Sequence, residues 1–193
     1  MWVEKDLFIL AALMLLSMAA CGSNSGETEA PLKAATPAEI EAAVAAALGD
    51  GCLATVDVPE EELFTSPLGD LDLSRVKSYV AKQSEVVSVD VDTIVIAECE
   101  DGYADEAVAK LNEAYGRILS YIRQYPFGVA KVEGARLYKV GSTVMLIIAG
   151  ASYDGEDSEA EAKLANEEYQ KIDEALKGLF GSLPQNLIQI PEN

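Results

Sequence analysis

Apolar positions along this chain recur with several spacings, and each spacing predicts a different kind of element. The longest regular stripe alternates intervals of four and three residues: Ala104, Val108, Leu111, Tyr115, Ile118, Ile122 and Tyr125. This spacing places the stripe on one face of an α-helix and is typical of a helix packed on a sheet, with a coiled-coil partner as the alternative. Pro126 is expected to end the helix because proline cannot donate the next backbone hydrogen bond.

Two further segments begin with the polar signature of a helix N-terminus. Residues 36–39, Thr-Pro-Ala-Glu, form a capping-box pattern, and apolar residues at intervals of four follow it as far as Leu48. Residues 158–161, Ser-Glu-Ala-Glu, form a second such pattern, followed by an apolar stripe from Leu164 to Phe180. Glycines at 49, 51 and 181 are expected to end these two helices.

Other segments are rich in β-branched residues and predict strands. Val86 to Ala97 predicts an extended segment whose strand lies mainly at Thr93–Glu98. Val132–Val140 and Thr143–Ala149 flank Gly141-Ser142, which is typical of a hairpin with a type II′ turn. The second arm of this hairpin is apolar on both faces and is therefore expected to be a central strand.

The stretch from Cys52 to Glu85 carries the weakest pattern, with one helical turn predicted at Pro59–Phe64 and a short helix at Leu73–Ala81. Because hairpin strands are antiparallel, the sequence predicts an α+β fold. We expect one small domain with a largely antiparallel sheet of three or four strands and long helices packed mainly on one face. The predicted boundaries are a leader at 1–20, a lipidated cysteine and flexible linker at 21–35, the domain at 36–184 and a tail at 185–193, which is expected to be frayed unless its apolar residues dock.

The N-terminal residues resemble the signal of a bacterial lipoprotein. An uncharged run of fourteen residues, Leu7–Ala20, ends at two alanines followed by Cys21. The run is short for a membrane span, which needs about 17–25 residues, but fits a signal-peptide core of about 7–15. The pattern predicts cleavage before Cys21 and a diacylglycerol on its thiol, and hence a cell-membrane protein anchored on the extracytoplasmic face by its lipid.

Acidic residues near the start depart from that pattern. Glu4 and Asp6 flank Lys5, whereas signal peptides normally carry net positive charge there. An uncleaved anchor and a misassigned start codon are the alternatives. Cleavage would leave 13 basic and 31 acidic residues, a net charge of −18. Such a domain repels nucleic acid and anionic headgroups, so nucleic-acid partners are not expected and only the lipid is expected to hold the protein to the membrane.

The composition also limits the available chemistry. The chain has no histidine, the commonest general base and metal ligand. Besides Cys21 there are two cysteines, Cys52 and Cys99, which lie 47 residues apart without a disulfide-framework spacing. Separate buried thiols are favoured over a disulfide bridge. No catalytic, cofactor-binding or metal-binding residue is predicted, so the chain is not expected to be an enzyme or to hold a cofactor.

Several other groupings have both a functional and a purely structural interpretation. The acidic stretch Asp154–Glu161 lacks the ligand spacing of a calcium loop and is expected to be a solvated helix start, with a cation site as the alternative. Asp70 and Asp72, like Asp90 and Asp92, are expected on the wet side of extended segments. Eight tyrosines suggest a recognition surface or, as the simpler interpretation, packing at the edge of the core.

Three segments carry a resemblance to a known family. They are Thr93–Glu98, the helix ending in Tyr125-Pro126, and Ala135–Ile148 with its Lys-x-Gly hairpin. Together with the N-terminal cysteine motif, they resemble domain-of-unknown-function family 4358 over about Ala38 to Phe180. Members are mostly small lipoproteins of Gram-positive, anaerobic gut-type bacteria without an assigned activity. The resemblance implies the fold and the location and leaves the function open.

Three function classes follow from these observations. The first is a lipid-anchored, non-catalytic module that binds a protein, a peptide or an envelope component. The second is a small-molecule or cation-capturing accessory lipoprotein of a transport system, although the chain is short for a two-lobed solute-binding protein. The third is a carboxylate-dependent hydrolase, which the missing histidine disfavours.

Overall fold

The computed structural model describes residues 31–86, 90–125 and 128–191. The predicted leader, the lipidation site Cys21 and most of the linker lie outside the described residues. The same holds for Pro126 and for residues 87–89 of the predicted extended segment.

The described chain contains four α-helices and five strands, with four short 3-10 helices between α1 and β2. The 3-10 helices cover Gly49–Gly51, Glu60–Thr65, Pro67–Asp70 and Leu73–Arg75. The longer elements, in chain order, are α1 Pro37–Leu48, β1 Val56–Asp57, β2 Val76–Gln83, β3 Thr93–Cys99, α2 Ala104–Ile122, α3 Val129–Glu133, β4 Arg136–Val140, β5 Thr143–Ile148 and α4 Ser158–Phe180.

The strands form one five-stranded sheet in the order β1-β2-β3-β5-β4, and every neighbouring pair is antiparallel. The predicted α+β class with an antiparallel sheet is confirmed. The predicted number of strands, three or four, was too low because the weakly patterned stretch 52–85 contributes both β1 and β2. The central strands β3 and β5 are almost wholly buried, as the continuous apolar run of β5 predicted.

Helices cover both faces of the sheet, so the expectation that they pack mainly on one face was wrong. On one face α2 packs against side chains such as Val95 and Leu146. On the other face α1 and α4 pack against Ile94 and Met145. The physical reason is that successive side chains of a strand point to opposite faces, and β3 and β5 are apolar at both sets of positions.

The predicted short helix at Leu73–Ala81 was also wrong. Only Leu73–Arg75 forms a helical turn, of the 3-10 type, and the chain then continues as β2. β2 pairs with β3 from Val76↔Cys99 to Gln83↔Thr93. Backbone bonding to a strand that follows later in the chain overrides the weak local pattern of this segment.

The helix signals were otherwise accurate. Thr36 and Glu39 form the reciprocal capping box at the start of α1. At α4 the capping residue is Asp157 rather than Ser158, because the Asp157 carboxylate accepts hydrogen bonds from the amides of residues 159 and 160. The second predicted capping box was therefore wrong: the cap lies one residue earlier, and Ala160, three residues after it, has no side chain to complete a box. Gly181 ends α4 in the left-handed conformation, as predicted.

The hairpin between β4 and β5 has the predicted turn. Gly141 has a φ of 59°, and no non-glycine residue in the described ranges has positive φ, so Ser142 has the negative φ that a type II′ turn requires. The first arm starts later than predicted. Val132 belongs to the short helix α3, and the strand begins at Arg136.

Both ends of the described chain pack on the domain and extend it beyond the predicted bounds 36–184. Leu32 lies against the core on the α1 and α4 face, and the Lys33 amide donates to the Phe180 carbonyl at 2.9 Å. In the tail, the Asn186 side chain accepts from the Leu137 amide at 3.0 Å. The tail thus docks beside edge strand β4, the second of the two outcomes considered for it.

Candidate functional site

A cleft of about 320 Å³ opens at one end of the sheet. The start of β3, the end of β5 and the start of β4 meet at this end because adjacent strands are antiparallel. The segment before β3, helix α3, the β5–α4 loop and the first turns of α4 enclose the cleft. Its walls are formed by Asp90, Val91, Ile122, Gly128, Lys131, Ala151, Ser152, Tyr153, Asp154, Gly155, Glu161, Leu164 and Ala165.

A buried ion pair lies at the inner wall of this cleft. The Lys131 ammonium donates to Asp92 Oδ1 at 2.6 Å, and the two side chains are 7% and 0% exposed. The Gly150 amide donates to the other carboxylate oxygen, Oδ2, at 3.1 Å. Burial raises the pKa of Asp92, and the Lys131 charge opposes this rise. Asp92 was expected on a wet surface, and that prediction was wrong.

Ser152 extends the ion pair towards solvent. Lys131 Nζ also donates to Ser152 Oγ at 3.1 Å, and the Ser152 hydroxyl donates to the Asp90 carboxylate. A serine beside a lysine occurs in some hydrolases, where a neutral amine takes the serine proton. Here the lysine forms an ion pair with Asp92, and an ammonium has no acceptor site for that proton. The arrangement is therefore suited to holding charges in fixed positions rather than to activating Ser152.

Helix α4 supports the cleft from behind. The Tyr169 hydroxyl donates to the Lys131 carbonyl at 2.8 Å and fixes α3 against α4. Burial raises the pKa of Tyr169, so this donor stays protonated. Gly150 has a φ of 139°, and a Cβ there would lie 2.8 Å from Glu168 Cβ. Only glycine therefore lets the loop after β5 approach α4 so closely.

The acidic stretch Asp154–Glu161 lies at the rim of the cleft. Asp157 caps α4, and Glu161 Oε1 accepts from the Gly128 amide at 2.7 Å. Asp154 lines the cleft, and Glu156 and Glu159 are exposed. Within the described residues, no group of three acidic or cysteine side chains is placed to hold a metal ion. The capping by Asp157 and the exposure of Glu156 and Glu159 agree with the expected solvated helix start.

The two internal cysteines are buried free thiols. Cys52 belongs to the core on the α1 and α4 face, and Cys99 to the core on the α2 face. The sheet separates them, so a bridge between them would require the fold to open. Burial raises the pKa of both thiols, which keeps them unreactive. The interpretation as separate buried thiols is confirmed.

Of the eight tyrosines, four are buried, Tyr153 is partly buried, and Tyr79, Tyr121 and Tyr125 are exposed. Four are at most 1% exposed: Tyr103, Tyr115, Tyr138 and Tyr169. Two others, Tyr121 and Tyr125, are 57% and 42% exposed near the end of α2, with ring centroids 5.1 Å apart. The expected edge-of-core packing therefore describes only part of the set, because some tyrosines lie deeper and some lie on the surface.

Phe64 lies next to the exposed tyrosines. It is 79% exposed, in the 3-10 helix Glu60–Thr65, and it shares with Tyr121 a shallow depression that also contains Arg117. We call Phe64, Tyr121 and Tyr125 the aromatic surface. The helical turn predicted at Pro59–Phe64 is observed as this 3-10 helix. Sequence reasoning singled out the tyrosines but not Phe64, because Phe64 and Tyr121 lie in separate elements and only the tertiary structure brings them to one depression.

Lys131 is the residue of the cleft that sequence reasoning missed entirely. It occurs in the apolar context Val-Ala-Lys-Val of residues 129–132, which was interpreted in part as the beginning of a strand. Its partner Asp92 lies 39 positions earlier, so no local spacing connects the two. A lysine surrounded by apolar residues was the only available signal.

Comparisons with protein-family models, with curated proteins and with solved structures found no match to this chain. None of the helices in the ranges 31–86, 90–125 and 128–191 is long and apolar enough to cross a membrane. The resemblance to domain-of-unknown-function family 4358 therefore stays a prediction, based on the segments quoted for it.

Proposed function

We propose that this protein is anchored by a lipid on Cys21 to the extracytoplasmic face of the cell membrane and that its domain is a non-catalytic interaction module. The motif Ala19-Ala20-Cys21 supports the anchor. The ion-paired state of Lys131 beside Ser152 supports a binding rather than a hydrolytic role. The family resemblance is consistent with the proposed envelope location, because members of that family are mostly lipoproteins.

The observation that carries the interaction role is the aromatic surface. Large apolar side chains that are more than half exposed, such as Phe64 and Tyr121, leave apolar area in water that a partner would bury. Aromatic residues are enriched at the centres of protein interfaces because they bury large areas with few rotatable bonds. The depression between Phe64 and Tyr121 can accommodate an apolar side chain of the partner.

The charge around this surface indicates the kind of partner. Glu60, Glu61 and Glu62 are exposed immediately before the aromatic surface, on a chain with a net charge of −19. Arg117 beside Tyr121 is paired with Asp70 and adds little net positive charge. The partner is accordingly a protein of the cell envelope that presents an apolar side chain within a basic rim.

The anchor is tested by mass spectrometry of the N-terminal peptide and by detergent phase partitioning of the full chain in its native host. Wild type is expected to carry diacylglycerol on Cys21 and to enter the detergent phase. Cys21→Ala removes the thiol and is expected to prevent processing, whereas Cys52→Ala, a change of the same type in the core, leaves lipidation unchanged. An intact leader with an unmodified Cys21 thiol would contradict the proposed anchor.

The interaction role is tested by placing a photo-reactive amino acid at position 64 or 121 of the full chain in intact cells. Both positions are expected to cross-link to the same protein, and the same probe at Lys163, whose side chain is 78% exposed on α4, is not. Tyr125→Ser is expected to reduce the cross-link from position 64 because it removes part of the shared surface. Equal cross-linking from positions 64 and 163, or no adduct at either aromatic position, would refute docking at this surface.

A further inference from the structure

We propose that the cleft beside Lys131 is a second binding site, which takes a free α-amino acid with an apolar side chain. This site is separate from the aromatic surface and would correspond to the small-molecule capture considered from the sequence. The proposal is based on the order of charges along the cleft wall, on the unused hydrogen-bonding capacity there and on the size and lining of the cavity.

The first step is the buried ammonium. Lys131 has three N–H donors, and two of them are used by Asp92 and Ser152. Within the described ranges the third donor has no partner, although the side chain is only 7% exposed and lines the cleft. A buried donor without a partner is costly, so the site favours a ligand that brings an acceptor, and a carboxylate forms the strongest bond with an ammonium.

The second step is the neighbouring carboxylate. Asp90 accepts the Ser152 hydroxyl with Oδ1, and its side chain makes no other hydrogen bond or ion pair among the described residues. Only Ser152 separates this carboxylate from the Lys131 ammonium, so the two charged groups lie no more than two hydrogen-bond lengths apart, at most about 6 Å. The Asp90 carboxylate can therefore receive a ligand ammonium while the ligand carboxylate meets Lys131.

The paired charges select among ligand classes. A simple amine would meet Asp90 but leave the third Lys131 donor without an acceptor, and a simple carboxylic acid would meet Lys131 but place its negative charge beside Asp90. A zwitterion satisfies both groups, and the one-carbon separation of charges in an α-amino acid suits the short spacing on the wall. Asp154 also lines the cleft and adds a further negative charge to it.

The remaining lining indicates the side chain of the ligand. Val91, Ile122, Leu164 and Ala165 contribute apolar side chains to the lining of the cleft. The volume of about 320 Å³ is at the lower end of the range of about 300–1,000 Å³ for ligand pockets, which favours a ligand of amino-acid size. Tyr153 packs over Gly155, where a Cβ would lie 2.5 Å from the ring, and partly closes the cleft.

Isothermal titration calorimetry of the full chain in detergent tests the proposal with five probes: L-valine, L-leucine, L-isoleucine, L-methionine and L-phenylalanine. At least one is expected to bind. Analogues of leucine that lack one charge, 3-methylbutylamine and 4-methylpentanoate, are each expected to bind about tenfold or more weakly than leucine, since each loses a hydrogen bond between charged groups.

Variants then locate the binding. Asp90→Asn removes the proposed partner of the ligand ammonium and is expected to weaken binding about tenfold or more. Asp101→Asn is the matched control, because Asp101 is fully exposed and remote from the cleft. The proposal is overturned if none of the five amino acids binds at up to about 1 mM, if the amine analogue binds as well as leucine, or if Asp90→Asn binds like wild type. Phe64→Ser should leave amino-acid binding unchanged, which separates this site from the aromatic surface.

Discussion

Replacing Lys131 by methionine should destabilise this protein more than almost any other single change to a charged residue. The pair with Asp92 is almost fully buried, with the two side chains 7% and 0% exposed and the two charged atoms 2.6 Å apart. Lys131→Met would leave the carboxylate buried with only the Gly150 amide as a donor. Removing one partner of a buried pair costs about 3–5 kcal/mol, a large part of a total stability of about 5–15 kcal/mol.

The double variant Lys131→Met/Asp92→Asn separates the loss of the charge pair from the loss of packing. The asparagine has no charge but keeps an oxygen to accept from the Gly150 amide. Because a buried pair replaced on both sides often costs little, we expect the double variant to regain about 2 kcal/mol or more relative to Lys131→Met. Lys163→Met is the control, since Lys163 is 78% exposed and 3.9 Å from Glu167, and it should change stability by less than about 0.5 kcal/mol.

Urea unfolding followed by far-UV circular dichroism measures these differences, with the slope of the transition showing whether each variant unfolds in the same way. The reasoning is refuted if Lys131→Met costs less than about 1 kcal/mol, which would mean that water reaches the Asp92 carboxylate. It is also refuted if the double variant is as unstable as Lys131→Met, because the cost would then come from lost packing.

Two further changes test other parts of the fold by the same unfolding measurement. Tyr115→Phe removes a fully buried hydroxyl that has no hydrogen-bond partner in the described part of the chain, so it should stabilise the protein by about 1 kcal/mol. Burial raises the pKa of Tyr115 from 10.0 to about 12, so the folded protein favours the protonated hydroxyl more than the unfolded chain does. This contribution to the free energy of unfolding is complete below pH 10 and is lost as the pH rises through 12. Tyr115→Phe should lose less stability over that interval, and an equal alkaline decline in both proteins would contradict this assignment. Asp157→Ala removes the cap of α4 and should cost about 1 kcal/mol, whereas Asp154→Ala, also in the loop before α4, should cost less; similar losses would show that Asp157 does not act as the cap.

Local sequence patterns predicted the strands that form the cleft but not the buried ion pair in its wall. The strand β3 and the hairpin of β4 and β5 were predictable, and an antiparallel arrangement of those strands already places residues 92, 136 and 148 at one end of a sheet. The chain does not indicate locally that Asp92 turns inwards. An aspartate between valine and threonine fits a wet edge equally well until Lys131, 39 residues later, is placed against it.

The sequence by itself determined those elements whose signals are local to their own stretch of chain. They are α1 with its capping box, the amphipathic α2, the end of α4 at Gly181, and the Gly141-Ser142 hairpin. These depend on interactions between residues that are near neighbours in the chain. Only the tertiary structure decided the strand β2, the distribution of helices over both faces and the pairing of Lys131 with Asp92. These depend on contacts between distant segments, whose free energy of burial and backbone pairing exceeds the small local preferences.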